Sequence, residues 1–372
     1  MSEQQKRPYE NADIESGYNE YMMPIWKDLD VPIKRAEGCY VEDYDGNKYL
    51  DAFSGISVTN AGHANEAVIG AATEQLKEFV HGCSYIHLSE PVANLAETLA
   101  EITPGDLKKS FFCNSGTEAV EGAIKLARKY TGSKEILALE MGFHGRTLGS
   151  LALTGNKAYK SEMAPIINDV AHAAPPYAYR CQICDGGPCS CACAEDVGRV
   201  IETHTADDLA AVVVEPLMGE AGIVPPPEGW LSRVQEVAHD HEALLIVDEV
   251  QAGYGPTGEM WGVDHYDVVP DIMAQAKGIA NGLPLGSFTA TKEIADAFES
   301  GDHLSTFGGN SHLIITETLA HVTVDVYQYH SLNIYDDWII RYDRPVAVTP
   351  RSLSSAPRSR GCLRPNNNRP SS

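Results

Sequence analysis

Residues 244–251 read LLIVDEVQ, an apolar run that ends in two carboxylates. A short apolar run bounded by polar residues is typical of a strand buried on both faces, as in a parallel sheet. Asp248 follows the run directly, so we expect its carboxylate at the carboxyl end of that strand, where open α/β sheets bind ligands. A carboxylate leaving a buried strand needs a cationic partner to offset its desolvation. The stretch predicts an α/β sheet with a cationic group beside Asp248.

The surrounding sequence contains further short apolar runs of this kind, separated by helical patterns. From about residue 25 to residue 310, short β-branched runs alternate with helical patterns, which is typical of βαβ units. Further strands are predicted at 110–113, 211–214 and 271–276. We therefore expect an α/β fold with a mainly parallel central sheet and flanking helices.

Residues 271–278 read DIMAQAKG and place Lys277 at the end of an apolar strand. Burial favours the neutral amine of a lysine, and the neutral amine is the form that condenses with an aldehyde. A surface lysine with its stem along apolar groups explains this segment alone equally well.

Two further segments are each compatible with a ligand contact, although many helices start with Ser-x-x-Glu and hold no ligand. Residues 114–118 read NSGTE, and Ser115 with Glu118 predicts a capping box, whose helix start presents free N–H groups to a phosphate. Residues 143–147 read FHGRT, and an exposed Phe143 beside His144 could stack on a flat ring. A phenylalanine of the core is the alternative.

Composition excludes several classes of partner. The formal net charge of −24 repels nucleic acid and anionic membranes. No apolar run is long enough to span a bilayer, and residues 1–20 do not resemble a signal peptide. We expect a cytoplasmic protein. An acidic surface suits high salt, so a halophilic source is our hypothesis, with an ordinary acidic cytosolic enzyme as the alternative.

The cysteines include one cluster. Its spacing is compatible with a structural metal or a disulfide clasp, although incidental thiols are the simpler interpretation and no catalytic metal is expected. The cluster consists of Cys181, Cys184, Cys189, Cys191 and Cys193.

The end of the chain differs from the rest. Seven of the fourteen arginines lie between Arg341 and Arg369, whereas no lysine follows Lys292. Residues 350–372 are rich in Ser, Pro, Arg and Asn, without helical or strand periodicity. We expect residues 311–372 to be an aberrant, disordered tail, with the natural C-terminal part missing or read in another frame.

Taken together, the motifs resemble those of the class III pyridoxal-phosphate-dependent aminotransferases, including the 4-aminobutyrate, alanine–glyoxylate and acetylornithine types. The likeness covers residues 24–310, and six motifs occur in the family's order. They are NSGTEA (114–119), FHGRT (143–147), VEP (214–216), VDEVQ (247–251), AKG (276–278) and TFGGN (306–310).

The resemblance implies the aspartate-aminotransferase-like fold, pyridoxal 5'-phosphate as cofactor, and amino-group transfer from an ω-amino acid or alanine to a 2-oxo acid by a ping-pong mechanism. Lys277 would form the Schiff base with the cofactor and move the proton. Asp248 would keep the pyridine nitrogen protonated. Residues 1–60 would contribute to a small domain and the substrate pocket, and residues 61–310 would form the large cofactor-binding domain.

The resemblance also implies a cofactor-binding set and a substrate set. Glu215 would be a gatekeeper that pairs with an arginine when no substrate carboxylate is present, and Ile56 would line the substrate pocket. Thr306 would reach the phosphate across a dimer interface, which implies a homodimer. The remaining cofactor contacts would come from Ser115, Gly116, Thr117, Phe143, His144, Val250 and Gln251.

Departures from the family pattern leave alternatives open. Pro256 stands where the family commonly has arginine, and no segment after Asn310 matches the one that supplies the arginine for the substrate α-carboxylate. A non-catalytic cofactor-binding remnant and an aminomutase of the same fold are therefore the alternatives to an aminotransferase. A metal-binding module built on the cysteine cluster is a further one.

Overall fold

The computed structural model describes residues 9–24, 31–163, 165–166, 169–181, 183–184, 190–311 and 339–341. In chain order, the helices are α1 (Asn11–Tyr21), α2 (Ser54–Ser57), α3 (Glu66–Glu78), α4 (Glu90–Ile102), α5 (Gly116–Thr131), α6 (Leu148–Leu153), α7 (Ala192–His204), α8 (Trp230–Asp240) and α9 (Lys292–Ala295). The strands are β1 (Ile33–Glu37), β2 (Tyr40–Asp43), β3 (Lys48–Asp51), β4 (Leu107–Cys113), β5 (Glu135–Leu139), β6 (Val170–Ala173), β7 (Leu209–Val214), β8 (Leu244–Asp248), β9 (Ile272–Gln275), β10 (Gly286–Thr291) and β11 (Ile339–Arg341).

The central sheet has seven strands in the order β4-β10-β9-β8-β7-β5-β6. The five strands from β9 to β6 pair in parallel. Only β10 runs against its neighbours, because it pairs antiparallel with both β9 and β4. The predicted mainly parallel sheet is thereby confirmed.

Each face of this sheet packs against helices. Side chains of a strand alternate between faces, so β8 sends Leu244 and Ile246 to the side that carries α5 and sends Leu245 and Val247 to the other. The second side carries α4, α7 and α8, with Trp230 fully buried. Burial on both faces explains why β7 and β8 are continuous apolar runs in the sequence.

A second sheet joins β1, β2, β3 and β11, all antiparallel. Its last strand, β11, belongs to the segment 311–372 that we predicted to be an unordered tail. Apart from Ser311 and β11, that segment lies outside the described residues, so the prediction about the tail stays a prediction.

The strands of the central sheet bring the motifs together at one edge. Since β4 and the five parallel strands all point the same way, their carboxyl ends meet there. The residues that follow these ends are residues 114–117 after β4, 140–147 after β5, Glu215 after β7, residues 249–251 after β8 and Lys277 after β9.

Candidate active site

Lys277 lies at the carboxyl end of β9, where a short 3-10 turn begins. Its backbone is left-handed, with φ +52°, a conformation that costs a non-glycine residue roughly 1 kcal/mol. Its Nζ donates a hydrogen bond of 2.9 Å to Oε1 of Gln251. Burial lowers the pKa of Lys277, against the opposing charges of Asp248, Glu220 and Glu215. The site therefore raises the fraction of neutral, nucleophilic amine.

Asp248 ends β8 as a buried carboxylate, 4% exposed. Its Oδ2 lies 2.8 Å from Nδ1 of His144, and its Oδ1 accepts the N–H of Val250 at 3.0 Å. Burial acts to lower the pKa of His144, but the hydrogen bond to Asp248 and the charges of Asp248 and Glu215 outweigh it and raise that pKa overall. His144 is thus the hydrogen-bond partner of Asp248 within the chain, and the pyridine nitrogen as its cationic partner stays a prediction.

Glu215 is also buried, and its carboxylate spans two loops. Its Oε2 accepts the N–H of Phe143 and its Oε1 accepts the N–H of Gly219, each at 3.0 Å. Burial is the main reason that the pKa of Glu215 rises to about 7. The predicted gatekeeper carboxylate is therefore occupied by backbone donors, whereas Glu220, one turn further on, is exposed and acts electrostatically on Lys277.

Helix α5 starts at the edge of the sheet with Ser115 as its N-cap. The Ser115 hydroxyl accepts the N–H of Glu118, as a capping box requires, but the return bond differs from the prediction. Glu118 accepts the N–H of Asn114 at 2.6 Å and its side-chain amide at 2.8 Å, because the chain enters the helix extended and brings Asn114 within reach. Among the described residues, the N–H groups of Gly116 and Thr117 have no hydrogen-bond partner. They are therefore available to an anion.

Hydroxyl groups surround this helix start. The hydroxyl oxygen of Thr117 lies 2.7 Å from that of Thr147 and 2.5 Å from that of Ser150. Gly145 is left-handed, with φ +136°, and a Cβ there would collide with Thr117 and Ser150. The glycine of the FHGRT motif thus allows the backbone to approach the hydroxyl cluster.

Gly116 packs against Val250, the residue that follows Asp248 and Glu249. A Cβ at position 116 would lie 2.6 Å from Cγ1 and 2.9 Å from Cγ2 of Val250. The contact joins the start of α5 to the loop after β8, so the predicted anion site and the predicted ring site are adjacent.

We expect Gly116→Ala to destabilise the protein by about 2 kcal/mol through overpacking and to weaken cofactor retention. The matched control is Gly198→Ala inside α7, where the nearest atom to a new Cβ is Cγ1 of Val237 at 3.4 Å. That change should stabilise by about 0.5–1 kcal/mol. Denaturant unfolding checks both, and equal effects of the two substitutions would contradict the tight contact.

Phe143 is half-buried and sits edge-on to Tyr159, with ring centroids 5.7 Å apart. The guanidinium of Arg146 lies 4.0 Å from the Tyr159 centroid and 5.4 Å from that of Phe143. Phe143 is therefore not a core residue. It belongs to the loop that Glu215 holds at the site.

Glu249, beside Asp248, is fully buried and points away into the protein. It accepts the N–H groups of Gly262 at 2.9 Å and Val263 at 2.7 Å. Burial, only partly opposed by these bonds, raises the pKa of Glu249 to about 8. Its role is to hold the turn that carries Trp261.

This pKa gives a pH-dependent contribution to stability. Between the ordinary glutamate pKa and about 8, the folded state retains a proton that the unfolded state releases, so stability falls as the pH rises through that window. We expect Glu249→Gln to gain stability relative to wild type from about pH 5 to about pH 8, by up to about 1.4 kcal/mol per pH unit. Denaturant unfolding over this range measures it, with the exposed Glu259→Gln as control. Parallel curves for Glu249→Gln and wild type would contradict the assignment.

The two remaining predicted residues lie at the surface. Ile56 is 39% exposed and left-handed, within a short turn that precedes Asn60. Thr306 is exposed, and its neighbour Ser305 accepts a hydrogen bond from the side chain of Asn114 at 3.3 Å. Their roles toward substrate and partner subunit stay predictions.

The cysteine cluster lies between β6 and the first turn of α7 and is only partly described, because Cys189 falls outside the described residues. Cys181, Cys184 and Cys193 are free thiols, and Cys191 is disulfide-bonded. The N–H of Cys184 donates to Sγ of Cys181 at 3.3 Å. Within the described ranges, no group of three or more His, Cys, Asp or Glu side chains could hold a metal ion, and no helix is long and apolar enough to cross a membrane.

The donor set of this edge fits pyridoxal phosphate. The α5 start offers N–H groups and a hydroxyl to a phosphate, the buried Asp248 offers a carboxylate to a ring nitrogen, and Lys277 offers an amine of lowered pKa to an aldehyde. Position 116 has no room for a side chain larger than that of glycine, because a Cβ there would collide with Val250. Fold and site together define a pyridoxal-phosphate-dependent transferase.

Comparison with known proteins gives the family. A profile described as Aminotransferase class-III matches residues 22–331, and the chain belongs to this family of aminotransferases. It is 45% identical over 292 residues to acetylornithine aminotransferase of Methanopyrus kandleri, covering 78% of this chain and 70% of that protein. Over 281 residues it is 40% identical to acetylornithine aminotransferase of Bacillus subtilis, covering 76% and 67%. Alanine–glyoxylate aminotransferase 2 homolog 2 of Arabidopsis thaliana is 39% identical over 272 residues, covering 73% and 56%.

Solved structures agree with this assignment. An (S)-enantioselective omega-transaminase from Thermomicrobium roseum superimposes with a TM-score of 0.79 at 29% identity, covering 86% of this chain and 76% of that chain. A Bacillus anthracis aminotransferase gives a TM-score of 0.76 at 31% identity, covering 86% and 74%. The predicted fold class, the aminotransferase activity and pyridoxal phosphate as cofactor are confirmed.

Sequence reasoning missed several residues that the fold brings to the site. Glu220, Tyr254 and Gln275 all act on Lys277 or its strand. Glu220 had a signal, since it is the one acidic residue in a turn rich in glycine at residues 219–222. The polar Gln275 inside an apolar strand was a second signal.

Proposed function

We propose that this enzyme moves an amino group from a donor with a terminal amine to a 2-oxo acid by a ping-pong mechanism, with Lys277 as the reactive amine. The observation that supports this most is the position of Lys277 at the sheet edge, where its Nζ is bonded to Gln251 at the same edge as the buried Asp248–His144 pair. When bound, pyridoxal phosphate supplies an aldehyde that takes up amines and a ring that withdraws electrons.

Each residue at the edge has one task in this proposal. Lys277 holds the proton that moves during the transfer, at its Nζ, and Gln251 orients that atom through their hydrogen bond. Asp248 would keep the ring nitrogen protonated, and Phe143 and Val250 would cover the two faces of the ring. The amides of Gly116 and Thr117 and the cap of Ser115 serve the phosphate.

We assign Glu215 and Glu220 different parts. Glu215 fixes the loops that carry Phe143 and Gly219, since both of its oxygens accept backbone N–H groups. The exposed Glu220 is better placed to pair with a cation that enters or leaves the site, because its carboxylate is in solvent and still acts on Lys277. Ile56 remains the candidate lining of the substrate pocket.

N-acetylornithine is the donor we propose first, because relatives that are 40–45% identical carry the name acetylornithine aminotransferase. The competing donor is alanine, supported by the Arabidopsis thaliana relative. The test incubates the holoenzyme with N-acetylornithine or alanine and follows the bleaching of the visible cofactor band, first without and then with a 2-oxo acid. Faster bleaching with alanine would reverse the choice of donor.

The same experiment addresses the other interpretations. An aminomutase needs no added 2-oxo acid for turnover, whereas a cofactor-binding remnant shows a band that no donor changes. Bleaching by the donor, followed by recovery on addition of the 2-oxo acid, supports transamination over both.

We further propose a cytoplasmic homodimer adapted to salt. The exposed Thr306 and Phe307 support a subunit contact on that side. The net charge of −24 supports a stabilising effect of salt. Light scattering at several salt concentrations tests the dimer and its dependence on salt. A monomer at every salt concentration would refute the dimer.

A further inference from the structure

We propose that Tyr254 is a positioning residue for Lys277, acting through the buried amide of Gln275 and the backbone of Gly278. The inference rests on the proposed role of Lys277 as the reactive amine. It adds a second set of contacts, beyond Gln251, that holds the amine in place.

The first contact is a buried hydrogen bond beneath the site. The Tyr254 hydroxyl donates to Oε1 of Gln275 at 2.7 Å, and Nε2 of Gln275 donates to Oγ1 of Thr289 at 3.1 Å. All three side chains are fully buried. Because Gln275 precedes Lys277 by two residues, a fixed amide there fixes the end of β9 from which Lys277 emerges.

The second contact lies on the other side of Lys277. A Cβ at Gly278 would come within 2.6 Å of Nδ2 of Asn60 and 2.9 Å of Cβ of Tyr254. Asn60 itself donates to the backbone oxygen of Tyr254 at 3.0 Å. Tyr254 and Asn60 therefore close on the backbone directly after Lys277.

Both partners of this arrangement are in a costly backbone conformation. Tyr254 has φ +67° and Lys277 has φ +52°, the left-handed region that side chains other than glycine rarely adopt. Such conformations persist where the surrounding contacts over-determine them. The contacts on Gln275 and Gly278 are of this kind, so loosening them lets the Lys277 backbone relax and its amine shift.

Tyr254→Phe tests this because it removes only the hydroxyl. In cofactor-free protein, labelling of Lys277 by acetic anhydride across pH, read by mass spectrometry, gives the pKa of the amine. We expect the pKa in Tyr254→Phe to move up toward the ordinary lysine value. In the holoenzyme, we expect bleaching by the amino donor about tenfold slower, as a displaced catalytic group produces, with cofactor affinity little changed.

The control is Tyr266→Phe. Tyr266 is half-buried and lies on a neighbouring turn, and burial raises its pKa to about 12. It should leave both readouts at their wild-type values. If Tyr254→Phe lowers only the unfolding midpoint and leaves both readouts unchanged, its hydroxyl is merely structural and the proposal is overturned. If Tyr254→Phe does not fold, Asn60→Ala loosens the same contacts on the backbone of Gly278 and must shift the Lys277 pKa in the same direction.

Failure of the proposed function is recognised separately. A wild-type holoenzyme that no donor bleaches counts against transamination. The titration of Lys277 in cofactor-free protein still decides whether Tyr254 positions it.

Discussion

Lys277→Ala is expected to lower kcat for amino transfer by about 10⁴-fold, the upper range for loss of a positioned acid–base group. The reason is local, since the amine at the sheet edge is lost and no other described lysine occupies that edge. The fold should survive, because the substitution removes a buried amine whose pKa burial already lowers. The initial rate of carbonyl product formation, with the visible band of the bound cofactor, measures the effect.

The control for this substitution is Lys160→Ala. Lys160 is also a partly buried lysine whose pKa is lowered by burial, and it donates to the backbone oxygen of Ala152 at 3.3 Å. It lies outside the edge that carries Lys277, so its replacement should change kcat by about twofold or less. If Lys277→Ala kept a tenth of the wild-type rate, the assignment of the reactive amine would be wrong.

The sheet edge could be predicted from sequence because each strand end has a local signal. An apolar run followed by one polar residue marks the end of β8 at Asp248 and the approach of β9 to Lys277. Parallel packing buries both faces, which makes these runs continuous and easy to recognise. Helix α5 was equally visible, since its apolar positions recur at helical spacing.

The contacts around those ends could not be predicted in the same way. The hydrogen bond of Asn60 to Tyr254 joins residues that are 194 positions apart, and no local pattern encodes it. Glu215 was assigned from its place in a motif, yet its carboxylate meets two backbone donors that come from different loops. The capping box was half right because Glu118 reached Asn114, a choice that depends on the extended entry into the helix.

The second large effect is expected for Asp248→Asn, about a 10³-fold loss of kcat, comparable to removing one preorganised electrostatic partner of a reacting group. Asparagine has nearly the same shape and can still accept the N–H of Val250. It removes the negative charge that the carboxylate presents to the ring nitrogen and to His144. The loss is therefore electrostatic, and the fold should remain intact.

A readout that needs no cofactor accompanies the rate. The pKa of His144, which the bond to Asp248 raises against the effect of burial, should fall in Asp248→Asn when it is followed by NMR titration. Because the folded-state pKa in wild type lies above the ordinary value, the pair stabilises the protein at low pH and this contribution fades as the pH rises through the folded pKa. The stabilisation at low pH should be lost in the variant, because burial, the largest influence on the His144 pKa, then lowers that pKa.

The matched control is Asp271→Asn. Asp271 forms the same kind of pair, since its Oδ2 lies 2.9 Å from Nε2 of His239. The same oxygen accepts the N–H of Leu245 at 2.7 Å. This pair is partly exposed and lies at the amino end of β9, so its loss should change kcat by about twofold or less. If both substitutions slowed the enzyme equally, the effect of Asp248→Asn would reflect a general loss of an aspartate–histidine pair and not the charge at the ring site.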